Sequence, residues 1–306
     1  MGMKKHKIVV ATPMNFLPEQ EDRLRSLGDV KIYNTLPDSP DDWLKRCKRA
    51  DIICSGKYGL KEKMYQLNNV LFSLPFVAVG WLDKKKLKKK NITVSYCPGC
   101  NRHAVSEWVI AMMFLLLRKF NKLIGTTHLK GKMGSKDYLG LAGKKVCILG
   151  KGNIGARVYE VCKALEMDID HFGKGDDLTK KVKNVDVVVN TLSYNSSTEG
   201  MLDKNFFNSL RKSTFFITVT SNKIYDSKAV FDALDKGILD GFADDCGSIL
   251  PGEYTDPYYK KLTKHPKVLT TPHISYQSDV TVKMSNDMMI DNVEAYIKDK
   301  PINIVN

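Results

Sequence analysis

Short apolar runs alternate with longer amphipathic stretches along nearly the whole chain. In segment 1–99, the runs Lys7–Ala11, Val30–Tyr33, Asp51–Cys54, Phe76–Val79 and Ile92–Tyr96 read as strands. Apolar residues at helical spacing predict helices over Pro18–Leu27 and about Trp43–Arg49. Strands separated by helices imply a parallel sheet covered on both faces. A second series begins at Lys144, with strands at Val146–Leu149, Met167–Phe172, Val185–Thr191, Phe215–Thr220, Leu239–Ala243 and Val268–Thr271. Its helices include Lys204–Arg211 and Ser227–Lys236, the latter behind Asp226, an acid where a helix start favours one.

Between the two series lies Glu107–Arg118, too long and helix-prone for a strand and too short to span a bilayer. It reads as a buried helix joining two domains. The last segment, Asp279–Ile297, is again helical and ends before Lys300-Pro301. The fold class is therefore α/β, with two doubly wound parallel-sheet domains. The series from Lys144 forms a six-stranded sheet inserted into a domain built from both chain ends. The expected boundaries are 1–100 with 273–306 for one domain and 101–272 for the other.

The second series opens with chemistry. Lys144 to Leu149 is a short strand running into Gly150-Lys-Gly152-Asn153-Ile154-Gly155, with a helix-like run, Ala156 to Leu165, behind it. That order presents backbone N–H groups and a positive helix end to a pyrophosphate. Gly150 permits the tight turn, Gly152 lets the phosphate approach, and Gly155 lets helix and strand pack closely. A dinucleotide site is preferred over a merely structural turn because the glycines sit between strand and helix. The inserted domain is then a Rossmann-type nucleotide domain, and the other a flavodoxin-like substrate domain.

Composition adds little until charge is considered. At 306 residues, 43% hydrophobic and 27% charged, the chain is an ordinary globular one with room for two cores. The opening residues lead straight into Ile8–Ala11, so no cleavable signal peptide is expected. Seven scattered cysteines favour a reducing cytoplasm. The net charge of +14 has its densest source in Lys84–Lys90. Without interleaved aromatics or a recognition fold, that run reads as a solvated helix face rather than a nucleic-acid site. A basic chain does suit an anionic substrate and cofactor.

The motifs, as an ordered set, resemble the D-isomer-specific 2-hydroxy-acid dehydrogenases. The resemblance rests on the glycine turn, Thr191–Leu202, Phe216–Asp226, Thr271-Pro272-His273-Ile274, the hinge-like Tyr96–Glu107 and the ending Lys300–Asn306. It implies a nicotinamide cofactor, NAD or NADP, an active-site cleft between the domains, and a homodimer built around the nucleotide domains. It also implies that Leu192, Ser193, Thr220 and Asp245 lie beside the cofactor. His273 stands where the family keeps its catalytic acid/base, which exchanges a proton with the reacting carbonyl while hydride passes to or from the nicotinamide.

Two departures narrow that expectation. The family's carboxylate-clamping Arg is replaced by Ser221, which cannot supply a bidentate charged fork. The Glu that orients the His is replaced by Leu250, so the imidazole lacks the ion pair that favours its charged form. Glu253 could fold back into that role. Lys57 matches a lysine that some members carry near the substrate, and Lys223 offers a further point charge; either could equally be plain surface charge. An atypical small-molecule substrate is expected, with a paralogue that binds nucleotide without turnover as the alternative. At the cofactor's ribose, Met167–Phe172 ends in Gly173-Lys174-Gly175, so Lys174 favours NADP over NAD, and Asp170 is expected to turn away by strand alternation. Cys97-Pro-Gly-Cys100 reads as a hinge rather than a redox pair, and no second pair stands at zinc spacing.

Overall fold

A computed structural model describes residues 5–125, 138–245 and 256–305. The chain forms two compact units, Met1–Asn101 with Gln277–Asn306, and Arg102–Tyr276. The second unit thus runs through His273 to Tyr276.

In the first unit, strands β1 (Lys7–Val10), β2 (Asp29–Ile32), β3 (Ile52–Cys54), β4 (Val70–Ser73) and β5 (Ile92–Ser95) form a parallel sheet of order β2-β1-β3-β4-β5. Helices α1 (Pro18–Ser26), α2 (Pro40–Cys47), α3 (Leu60–Lys63) and α4 (Lys84–Lys89) connect them. The start of α2 is written in its sequence. Ser39 Oγ accepts the Asp42 N–H at 3.1 Å, Pro40 opens the helix, and Asp41 and Asp42 fill the first turn. Trp43 then drops into the core, where its Nε1 donates to Ser55 Oγ at 2.8 Å and its ring stacks on Phe72.

One expected strand moves. Phe76–Val79 forms no strand, and β4, earlier in the chain, takes the place between β3 and β5. All four β4 residues are buried, as a central parallel strand demands, whereas Phe76 and Val77 are only half-buried. Pro75 stands between the two segments and has no N–H to give to a ladder.

The second unit begins with α5 (Arg102–Leu117) and α6 (Phe120–Leu123). Its strands are β6 (Lys145–Leu149), β7 (Asp168–Phe172), β8 (Val187–Asn190), β9 (Thr214–Thr218), β10 (Leu239–Asp244) and β11 (Val268–Thr270). All pair in parallel, in the order β11-β10-β9-β8-β6-β7. Helices α7 (Asn153–Ala164), α8 (Leu178–Val182), α9 (Lys204–Ser209), α10 (Ser227–Asp235) and α11 (Pro257–Leu262) complete it. Strand alternation divides its core in two. Cys147, Leu149, Val188, Phe216 and Phe242 meet the α9 and α10 side, while Val146, Ile148, Val187, Val189 and Phe215 meet α5 and α7. In each sheet the order reverses beside the first strand, between β1 and β3 and between β6 and β8. Doubly wound sheets bind ligands at the carboxyl ends of strands flanking such a reversal.

The chain returns to the first unit as α12 (Asp279–Ile297), held there by polar bonds as well as by Met289, Ile290 and Val293. Asn286 Nδ2 donates to the Met14 carbonyl at 2.9 Å, and Ser73 Oγ to the Met289 carbonyl at 2.8 Å. Arg23 of α1 pairs with Asp291 at 2.7 Å and with Glu294 at 2.6 Å. Hydrogen bonds from Lys298 first and Arg23 second lower the Glu294 carboxyl from its ordinary 4.5 to about 2. A carboxyl lowered on folding contributes stability that is present above its unfolded value and lost as pH falls through the folded one. Denaturant unfolding should therefore show a loss between pH 4.5 and about 2 that is smaller in Glu294→Gln than in the native chain. An unchanged acid limb in the variant would exclude this contribution.

Candidate cofactor and catalytic site

The turn after β6 is built around missing side chains. Gly150 has φ +100°, a region that L side chains rarely adopt. A Cβ on Gly155 would lie 2.2 Å from the Gly150 carbonyl oxygen and 2.8 Å from Thr191 Oγ1. Helix α7 can approach β6 this closely only with glycine there. Gly152 caps α7 with no side-chain hydrogen bond, and the space where its Cβ would lie is open. Asn153 and Ile154 open the helix with Gly155, so their N–H groups belong to the orphan first turn. Open space over a helix start, with a turn that tolerates no side chain, fits the diphosphate of a dinucleotide. Beside it, a cavity of about 340 Å³ is lined by Gly150, Lys151, Gly155, Tyr159 and His171.

Two residues that sequence reasoning passed over hold this turn and its neighbours. Thr191 Oγ1 donates to the Leu149 carbonyl at 2.9 Å, which locks the end of β8 to the glycine turn. Fully buried Asn190 donates through Nδ2 to Thr218 Oγ1 at 3.1 Å and Thr220 Oγ1 at 2.9 Å, and its Oδ1 accepts the Leu192 N–H at 3.2 Å. Thr220 and Leu192 are thus positioned by one amide bridging the ends of β8 and β9. A polar residue closing the run Val187-Val-Val-Asn190 was the available signal. Ser193 is exposed, and its carbonyl accepts from Asn195 Nδ2 and Thr198 Oγ1.

In the middle of β7, both Asp170 carboxylate oxygens accept from Lys181 Nζ at 2.9 Å. A side chain at Gly173 would meet only ordinary contacts. Its Cβ position lies 3.6 Å from Lys151 Cε and 3.8 Å from Asp176 Oδ2, and the Gly173 N–H donates to that oxygen at 2.8 Å. Lys174 is exposed beside it.

His273 follows β11 in a left-handed backbone conformation, φ +55°, with its N–H on the Thr271 carbonyl at 3.0 Å. Such a conformation persists in a non-glycine residue only when its surroundings hold it. Here the buried Asp245 carboxylate does so. Its Oδ1 accepts from the Thr271 hydroxyl and from the Ile274 N–H at 2.9 Å, and its Oδ2 from the Ser275 N–H at 2.8 Å. The donors straddle His273, whose ring is exposed and edge-on to Tyr276 at 5.6 Å. An imidazole on a braced loop can give or take a proton without moving its backbone. Ser221 caps the short turn Asn222–Ile224, where its Oγ accepts the Lys223 N–H at 3.3 Å. Lys223 is exposed, with Nζ 5.5 Å from the Tyr194 ring centroid. Lys57 belongs to the first unit, exposed at the carboxyl end of β3 with Nζ 5.7 Å from the Phe76 centroid. Leu250 and Glu253 lie outside the described residues.

The hinge thiols are buried. Cys97 Sγ lies 3.4 Å from the Ser285 carbonyl, and Cys97 and Cys100 are both buried. Burial above all, then the neighbouring Cys100 and Cys54, raises the Cys97 thiol well above its ordinary range. Nucleophilic redox cysteines need the opposite shift. The lysine run forms α4, capped by Asp83 and anchored by buried Leu87. Among the described residues, no helix is long and apolar enough to cross a membrane.

A glycine turn at the reversal point of a parallel sheet, with an open helix start above it, defines a dinucleotide-binding unit. Residues 110–275 match the family model of the D-isomer specific 2-hydroxyacid dehydrogenase NAD-binding domain, and the chain belongs to that family of oxidoreductases. It is 24% identical over 281 residues to a glycerate dehydrogenase of Methylorubrum extorquens, covering 87% of this chain and 89% of that one. Among solved structures it resembles a D-lactate dehydrogenase from Treponema pallidum, with TM-score 0.80, 16% identity and coverage of 98% and 99%. It also resembles an acyclic imino acid reductase in complex with NADPH and D-Arg, with TM-score 0.77, 21% identity and coverage of 98% and 100%.

Two outcomes test this geometry. Gly155→Ala should lower thermal stability and weaken nicotinamide dinucleotide binding at least about tenfold by calorimetry, since the added carbon has nowhere to go. Cys97 should resist a thiol reagent in the native protein and react only once the first unit is unfolded, as read by mass spectrometry after digestion.

Proposed function

We propose that the protein is an NAD(P)-dependent reductase or dehydrogenase acting on an atypical small anionic substrate, with His273 as its proton donor and acceptor. The observation that carries this reading is the braced left-handed loop that presents an exposed imidazole from the same unit as the glycine turn. A bound nicotinamide would supply or receive the hydride. Gly150, Gly152, Asn153, Ile154 and Gly155 would hold its diphosphate, with Leu192, Ser193, Thr220 and Asp245 toward the ring end.

Ser221 is the reason for an atypical substrate. It offers a neutral hydroxyl where an Arg would grip a carboxylate with two charged bonds. Lys57 and Lys223 would supply point charges instead, suited to an anionic group of different shape. The imino acid reductase among the structural relatives reduces a substrate outside the 2-hydroxy acids, which supports the same direction. NADP is preferred over NAD. Lys151 and Lys174 flank the end of β7, no carboxylate branches from Gly173, and the Asp176 oxygen nearby already accepts a backbone N–H. The family also supports a homodimer through the second unit, and the buried thiols suit a reducing cytoplasm.

A second reading has its own motive in the absent Arg and Glu: a regulatory paralogue that binds nucleotide and turns nothing over. Titration with NADPH and NADH, followed by a screen of 2-oxo and imino acids, separates the two. The enzyme reading expects tighter NADPH than NADH and turnover that falls by about 10²-fold or more in His273→Asn, with cofactor affinity unchanged. Retained turnover in that variant would remove His273 from its role; cofactor binding without any turnover would favour the regulatory protein.

A further inference from the structure

A cavity of about 400 Å³ opens on the first unit beside β2, and neither the glycine turn nor His273 has any part in it. Strand β2 is the sheet edge, paired only with β1 in a register that sets Lys7 beside Asp29 and Val9 beside Lys31. Alternation brings these residues to the face where Val9 and Tyr33 pack with Trp43 and Cys47 of α2. The far wall is the carboxyl end of α2, which contributes Lys45, Lys48 and Arg49.

The cations here differ in their commitments. Arg46 is structural: it pairs with Asp42 at 3.0 Å and donates to the carbonyls of Ala11 and Thr35. Lys7, Lys31, Lys45, Lys48 and Arg49 have no carboxylate at ion-pair distance among the described residues. Asp29 is the single acid in the lining. Some surface cations are paired, as Arg23 is with Asp291 and Lys228 with Asp232, whereas these five gather around one concavity. Like charges gathered around a concavity focus a positive potential and repel one another until an anion fills it. Helix-end cations do interact favourably with the α2 dipole, but that accounts for Lys45 and its neighbours and not for Lys7 and Lys31 across the groove.

We propose that this groove binds a compact polyphosphate group carried by a small molecule. Its volume suits a few phosphates and excludes a duplex. Lysine ammonium groups bind phosphate as point charges and need no planar partner. The Tyr33 ring already has Lys31 Nζ at 4.7 Å and Arg46 Cζ at 4.4 Å from its centroid, so recognition runs through phosphate rather than a stacked base. The phosphates lie between Lys48 and Arg49 on one wall and Lys7 and Lys31 on the other, and Asp29 accepts from a hydroxyl of the ligand.

The test is calorimetric titration of the full chain with inorganic tripolyphosphate at low salt, with orthophosphate and random duplex DNA as comparison arms. Lys48→Glu/Arg49→Glu should weaken one saturable tripolyphosphate site at least about tenfold, and Lys31→Glu, on the other wall, should do the same. Two control variants should leave that site within about twofold: Lys85→Glu/Lys88→Glu on α4, at the opposite sheet edge, and Gly152→Glu in the glycine turn. Equal weakening by the α4 control, native affinity in the groove variants, or loss in Gly152→Glu alone would overturn the proposal. Tighter, groove-dependent binding of duplex DNA would overturn it too, in favour of a nucleic-acid surface.

Discussion

The second unit depends on an approach between helix and strand that leaves no room for a carbon atom. With the Gly155 Cβ position 2.2 Å from the Gly150 carbonyl oxygen, α7 can start where it does only because Gly155 lacks a side chain, while Gly150 supplies the positive φ of the turn. The first helical turn, with its orphan N–H groups, follows Gly152, where the space a side chain would take is open. Thr191 secures the turn from the next strand, and Asn190 extends the brace to Thr218 and Thr220. Cofactor binding and local packing therefore share one constraint. A substitution there is felt in both.

The loop that carries His273 follows a parallel logic with the opposite chemistry. A buried carboxylate, Asp245, collects three donors from the loop that carries His273 and leaves the imidazole itself free. Buried charge is costly unless hydrogen-bonded, and these donors are what make Asp245 tolerable at the end of β10. The residue expected beside the cofactor is thus also the loop's internal strut.

Charge is distributed with the same selectivity. Several acids of α12 are matched by a cation at bonding distance, and Glu294 meets both Arg23 and Lys298 at 2.6 Å. Two dense groups of cations in the first unit, on α4 and around the β2 groove, lie at opposite edges of one sheet. The two patches differ in shape: one is a capped helix face, the other a concavity.

Periodicity in the sequence was enough to determine nearly every strand of the second unit, the span of α12 and the glycine turn, because apolar alternation and glycine spacing act locally. It misplaced one strand, since Val70–Ser73 and Phe76–Val79 are both apolar and only the neighbours on either side could choose between them. The positions of Ser221 and His273 were legible as motif; the αL loop, the Asp245 brace and the Asn190 bridge were not. Those join residues far apart in sequence, 28 apart for Asn190 and Thr218 and 30 apart for Asp245 and Ser275. The β2 groove is of the same kind. Lys7, Lys31 and Lys48 are unremarkable along the chain and become one field only when parallel pairing and the α2 packing bring them together. Local pattern decides which elements form, while the competition between burial and hydrogen bonding in three dimensions decides which side chains meet.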